Sequence, residues 1–95
     1  MIEDYKTVYG KWIRFVHEDE LKKTHIWSVQ TNDTGYELGI IKWHPSWRKY
    51  CFFPGLDTVF ENICLHEIAE FIKQKMAEKK LLLMNPTQTE GDGKS

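Results

Sequence analysis

The chain has 95 residues, with 13 Lys and Arg against 14 Asp and Glu, a formal charge of −1 and a mean hydropathy of −0.53. That length suits one domain, the near-neutral charge excludes a global attraction to nucleic acid or to an anionic membrane, and no apolar run approaches the ~20 residues needed to span a bilayer. The apolar content is aromatic, with four Trp, four Tyr and five Phe, and because each such ring buries a large area, a few elements can close a core.

Residues 1–7 read as a polar lead-in. Residues 8–17, VYGKWIRFVH, read as a first strand with Ile13 and Phe15 on one face and Trp12, Arg14 and Val16 on the other. The charged run 18–24, EDELKKT, has no apolar period and reads as a solvated loop. Residues 25–31, HIWSVQT, form a second strand, Trp27 and Val29 facing one way and Ile26, Ser28 and Gln30 the other, the alternation of a sheet with one wet face. Asn32-Asp33-Thr34-Gly35 then supplies a hairpin turn, since Asn and Asp bond nearby backbone and Gly35 accepts a positive φ. A third strand over 36–44 and a fourth over 48–53 complete an antiparallel meander, joined through Pro45, which cannot donate to a ladder. Gly39 predicts a bulge, because the apolar parity slips from Leu38 and Ile40 to Ile41 and Trp43.

Pro54-Gly55 ends the sheet, and Thr58-Val59-Phe60-Glu61 has the spacing of a capping box, with Thr58 as the cap and Glu61 reaching back to it. Beyond it Phe60, Cys64, Leu65, Ile68, Ala69, Phe71, Ile72 and Met76 fall within half of a helical circle, opposite Asn62, His66, Glu70, Lys73 and Ala77. Lys75, Lys79 and Lys80 complement the C-terminal dipole, and Leu82 and Leu83 extend the apolar arc to about Met84, where Asn85-Pro86 stops the helix. The expectation is a single α+β domain over residues 1–84, a three- or four-stranded antiparallel meander packed against one long C-terminal helix, with residues 85–95 as a disordered polar tail.

No catalytic constellation stands out. His66-Glu67-Ile68-Ala69-Glu70 places Glu70 where a zinc-protease helix needs a second His, so His66 and Glu70 read as an exposed pair one turn apart. His17 and the three acidic residues after it read as solvated, because a cation site needs several converging ligands. The glycines form no phosphate-binding loop, and neither Ser28 nor Ser46 has a recognisable base and orienting acid. Cys51 and Cys64 lie in apolar runs with neither a paired spacing nor a signal-peptide pattern ahead of them, which reads as small buried hydrophobes in a reducing, cytoplasmic setting. The chain is therefore expected to be non-enzymatic, with no catalytic residue, cofactor or metal site.

What exceeds background is the stretch 42–50, KWHPSWRKY. With a helix on one face of the sheet, alternate side chains must project from the other. Trp, Tyr and Arg dominate interface hot spots, so a recognition surface is expected among Trp43, His44, Trp47, Arg48, Lys49 and Tyr50. The competing reading makes these rings core, and it is the expected one for Ile41, Phe52 and Phe53.

The string GIIKWHPSWRKYCFFP over residues 39–54, followed by Thr58-Val59-Phe60, Cys64-Leu65 and residues 68–72, resembles a small uncharacterised protein family of bacteriophages and prophages, over about residues 25–75. The resemblance implies a phage accessory protein and transfers no catalytic residue. Accessory proteins of this size often act by binding, which implies a protein partner of host or phage origin. Three antiparallel strands followed by a helix is also similar to the plant AP2-type and integrase amino-terminal DNA-binding domains. Those domains are basic and lay their sheet in the major groove, whereas the excess of Trp over Arg here suits stacking on single strands. The sequence thus leads to a binding module that engages a protein partner through residues 42–50, with a homodimer contact at the apolar helix end 81–84. The alternative is a nucleic-acid-binding sheet, in which Lys42, Arg48 and Lys49 meet phosphates while Trp43, Trp47 or Tyr50 stacks.

Overall fold

Five antiparallel strands lie side by side in chain order, and one helix crosses them. The computed structural model describes residues 6–83 as β1 (Val8–Tyr9), β2 (Ile13–Glu20), β3 (His25–Thr31), β4 (Glu37–His44), β5 (Lys49–Pro54) and α1 (Asn62–Leu83). This is the expected α+β meander under a long helix, with an additional strand. Gly10, Lys11 and Trp12 turn the chain, the Gly10 N–H donating to the Ile13 carbonyl at 2.7 Å, so the expected first strand divides into β1 and β2. The charged run is also less of a loop than its composition predicts. β2 continues through Glu20, which pairs with His25 across a bulge at Glu18, and only residues 21–24 form the connection. The expected helix end at Met84 and the tail 85–95 lie outside the described residues.

Cross-strand pairs define the two faces. Phe15 opposite Val29, Trp27 opposite Ile41 and Ile41 opposite Phe52 share the face under α1, while Arg14 with Gln30, Lys42 with Cys51 and Ile40 with Phe53 share the open face. The turn after β3 forms as its residues predict: Gly35 has φ 77° and donates to the Thr31 carbonyl at 3.0 Å. The bulge expected near Gly39 is present as well. Val29 pairs with Gly39 but Gln30 with Glu37, so Leu38 is the extra residue, and it reaches the core at 8% exposure. Gly39 admits no side chain, since a Cβ there would lie 2.5 Å from the Phe53 carbonyl oxygen and 2.8 Å from the Phe52 ring.

The core is the seam between α1 and the sheet. Phe71 stacks on Phe15 with centroids 4.2 Å apart and an interplanar angle of 4°, and meets Trp27 edge-on at 5.2 Å. Trp27 in turn meets Tyr50 edge-on at 5.3 Å. The helix starts later than a capping box on Thr58 predicts. Glu61 is the cap: its carboxylate accepts from the Ile63 and Cys64 N–H groups at 3.1 and 2.9 Å. Those two amides hold its carboxyl below the usual carboxylate range. Thr58 donates instead to the Gly55 carbonyl at 3.0 Å. Cys64, Ile68 and Phe71 are buried with Ile72 and Met76 packed against them, but Leu65 and Ala69, expected on the apolar arc, are exposed. The sheet covers a stripe narrower than half the helix.

Near the 21–24 connection the core turns polar. His17 Nε2 and His25 Nδ1 lie 3.0 Å apart beside the Trp27 ring, and the His25 backbone N–H donates to the Tyr50 hydroxyl at 3.2 Å. One imidazole must donate and the other accept, so full protonation of both removes this bond. Burial, and next the charge of His17, hold the His25 ring below its ordinary value of 6.5; Lys75 and Lys79 on α1 act in the same sense and Glu20 opposes them.

Two predictions follow from this packing. Gly39→Ala should destabilise the domain by about 1–3 kcal/mol through overpacking, read as a lower urea midpoint with an unchanged m-value. For His25, the unfolded chain takes up its proton near pH 6.5 and the folded chain only at lower pH. The associated stability is therefore complete above that value and declines as pH falls through it. Melting temperature should drop between about pH 7.5 and pH 5, a range above the carboxylate transitions, and His25→Gln should flatten that drop. An unaltered slope in the variant would assign it to other groups.

Candidate functional site

β4 and β5 are joined by residues 45–48, where Pro45 removes a donor and ends the ladder. The Arg48 N–H closes the loop onto the His44 carbonyl at 2.7 Å. To do so Arg48 takes φ 57°, the left-handed region, at a cost of roughly 1–2 kcal/mol that a glycine would not carry. The Trp47 N–H donates to His44 Nδ1 at 3.3 Å, which places the proton of a neutral His44 on Nε2. The indole of Trp47 lies parallel to the His44 ring at 4.6 Å, and His44 lies parallel to Phe53 at 6.0 Å. The result is a three-ring stack on the open face of the hairpin, with Lys42 Nζ 5.0 Å from the Phe53 ring centre. Trp47, at the outer end of the stack, is 64% exposed.

The six residues singled out in the sequence divide between the two faces. His44, Trp47, Arg48 and Lys49 belong to the open face and the tip, with Trp47, Arg48 and Lys49 exposed. Tyr50 is buried at 3% exposure under α1, its N–H donating to Met76 Sδ and its hydroxyl engaged by the His25 N–H, so it holds β5 to β3 and to the helix and is out of a partner's reach. Trp43, its cross-strand neighbour, is half-buried against the Tyr50 ring at 5.3 Å, with Lys79 Nζ 4.8 Å from its own ring centre. Trp43 and Tyr50 thus face the helix while His44 and Lys49, one position along on each strand, face away. Phe53, expected in the core, is instead the inner ring of the open-face stack. Sequence alternation carries this pairing but not the knowledge of which parity the helix covers.

Other chemistry-bearing groups have structural occupations. Glu67, inside the incomplete zinc-protease pattern, accepts the Lys11 N–H at 2.8 Å and ties the turn between β1 and β2 to α1. It borders an open groove of about 560 Å³ floored by Phe15 and Phe71. The Cys64 thiol is buried, and burial together with Glu61 raises its pKa, which keeps it protonated; Cys51 is half-buried on the open face, and both are free thiols. Among the described residues, no three His, Cys, Asp or Glu side chains converge as metal ligands, and no helix is long and apolar enough to cross a membrane. The pairing of His17 with His25 was not visible in the sequence, where the two residues are separated by a charged run. Between Glu37 and Asp57 the chain carries no carboxylate at all, so the hairpin is uniformly basic.

No family model and no solved structure matches the chain. It is similar to an uncharacterised 9.3 kDa protein of Acholeplasma phage L2, being 37% identical over 59 residues, which span 62% of this chain and 76% of the phage protein. With that share of the phage protein covered at that identity, the chain belongs to the same family of small uncharacterised phage proteins.

Proposed function

We propose that this phage-family protein is a non-enzymatic accessory module that binds a protein partner, of host or phage origin, through the β4–β5 hairpin. One observation carries the reading. An exposed Trp is held in place by stacking on His44 and by its own backbone bond to that ring, beside an exposed Arg. Aromatic and Arg anchors on a rigid element lose little side-chain freedom on binding and are the usual centres of an interface. The two free thiols fit work in a reducing, cytoplasmic setting. A self-contact at the helix end would use Leu81, which is 67% exposed; Met84 and the side chains of Leu82 and Leu83 lie outside the described residues.

A second reading is favoured by the absence of carboxylates from the hairpin. Lys42, Arg48 and Lys49 would meet phosphates while the outer face of Trp47 stacks on a base, the mode used for single strands. Trp43 and Tyr50 drop out of that reading because they face the helix.

The Trp47→Ala, Arg48→Ala double variant should keep its far-UV circular dichroism and change stability by less than about 1 kcal/mol, as exposed substitutions do, while losing capture of a nuclease-resistant protein from host lysate. Retained nucleic acid that is released as salt rises would favour the second reading. Unfolding of the variant would make the stack structural and remove the support for a recognition surface.

A further inference from the structure

The near-zero charge of the chain conceals an uneven distribution. Because the strands alternate in direction, the 21–24 and 45–48 connections lie at one end of the sheet, and α1 runs toward that end, its Lys79 Nζ donating to the Lys23 carbonyl at 3.1 Å. Lys22, Lys23, Arg48, Lys49, Lys79 and Lys80 therefore collect there, the acidic residues of that end being Glu18, Asp19 and Glu20 on β2 and Glu78 on α1, where Glu78 pairs with Lys75. Asp33, Asp57 and Glu61 lie at the opposite end, in the turn after β3 and ahead of the helix. Within the lysine-rich end the β4–β5 hairpin alone is free of carboxylates, so it is the part that attracts an approaching anion.

Two details of the hairpin narrow the ligand. Arg48 occupies a left-handed backbone position that glycine would fill at lower cost, and such strain persists where the side chain serves a purpose. The Lys42 ammonium is already ordered over the Phe53 ring, so pairing it costs less side-chain freedom than pairing a loose surface lysine. We infer that the partner presents an acidic protein surface, its Asp and Glu carboxylates meeting Lys42, Arg48 and Lys49 around the Trp47 ring. This rests on the hairpin reading above and assigns its ligand class.

A compact acidic surface fits better than a nucleic acid strand because the basic patch is bounded. Asp19, cross-strand partner of Ile26 on the open face, and its neighbours Glu18 and Glu20 stand on β2, three strands from β5. At about 4.8 Å per strand spacing that is roughly 14 Å, so the patch suits a few carboxylates localised on the hairpin, whereas a phosphate chain laid from β5 toward β2 would meet like charge.

The test is fluorescence anisotropy of labelled poly-L-glutamate and of labelled oligothymidylate of equal charge, titrated with the full chain at low salt. Polyglutamate should bind, and oligothymidylate should bind at least about tenfold more weakly. Arg48→Gly should preserve or raise the melting temperature, because the left-handed position is relieved, while weakening polyglutamate about fivefold. Arg48→Glu with Lys49→Glu should abolish binding. Tighter binding of oligothymidylate would overturn the inference in favour of nucleic acid, and failure to bind either polymer, or wild-type affinity in Arg48→Gly, would overturn it outright. The hairpin reading fails separately. If Trp47→Ala, Arg48→Ala still captures the lysate partner, the hairpin is not the site; if that variant loses the partner and polyglutamate is not bound, the acidic-surface inference alone falls.

Discussion

Phe71 decides which side of this sheet is dry. Its ring stacks on Phe15 of β2 and packs perpendicular to Trp27 of β3, contacts that join the helix to two strands at once. Full burial of such a ring is worth about 1.5–3 kcal/mol, and each aromatic contact adds about 0.5–1.5 kcal/mol. Set against a net stability of about 5–15 kcal/mol for a domain, one side chain carries a substantial share. With α1 seated there, the period-2 alternation of every strand acquires a direction. Trp27, Ile41, Tyr50 and Phe52 turn inward; Ser28, Lys42, His44 and Phe53 turn outward.

The second half of the helix extends that arrangement to the polar end of the core. Lys75 and Lys79 lay their stems across Trp27 and Trp43, their ammonium groups 5.4 and 4.8 Å from the respective ring centres. Long basic side chains cover apolar surface this way while keeping the charge near water. Beneath them the His17–His25 pair and the Tyr50 hydroxyl satisfy polar groups that a purely apolar core would leave unpaired. The hairpin that carries the exposed Trp47 is thus anchored from behind, through Tyr50 and Trp43, by the same elements that build the core. Two rings of its open-face stack, His44 and Phe53, stand on strands, and Trp47 in the 45–48 connection is tied to them by its stacking on His44 and its backbone N–H bond to that ring.

Much of the fold could be read from local chemistry. The alternation of Trp27 and Val29 against Ile26, Ser28 and Gln30 identified β3 and both of its faces, Asn32 to Gly35 identified the turn, and the parity slip around Gly39 identified a bulge. The failures share a cause, since each depended on a distant partner. Residues 8–17 have strand propensity throughout, and the break at Gly10 to Trp12 is held by Glu67 on the helix and by Asn32, whose side-chain amide donates to the Gly10 carbonyl. Glu18 to Glu20 look like a loop because they are charged, and become strand because β3 offers them a ladder. Thr58 and Glu61 both have capping chemistry, but in the segment that Gly55 ties to the Leu38 carbonyl the Thr58 hydroxyl is turned to the Gly55 carbonyl, and Glu61 takes the Ile63 and Cys64 amides.

The sequence by itself determined the class of the domain, a strand meander followed by one helix, and the presence of an aromatic, basic, carboxylate-free segment between Glu37 and Asp57, because these follow from periodicity, turn residues and composition. Only the tertiary structure decided which of those aromatics are available. Trp43 and His44 are adjacent in the chain, as are Lys49 and Tyr50, and nothing local separates them. The packing of Phe71 and Met76 onto one parity of the sheet sends Trp43 and Tyr50 inward and leaves His44 and Lys49 facing water. Neighbours along a strand point to opposite faces, and it is the helix that gives those faces different environments.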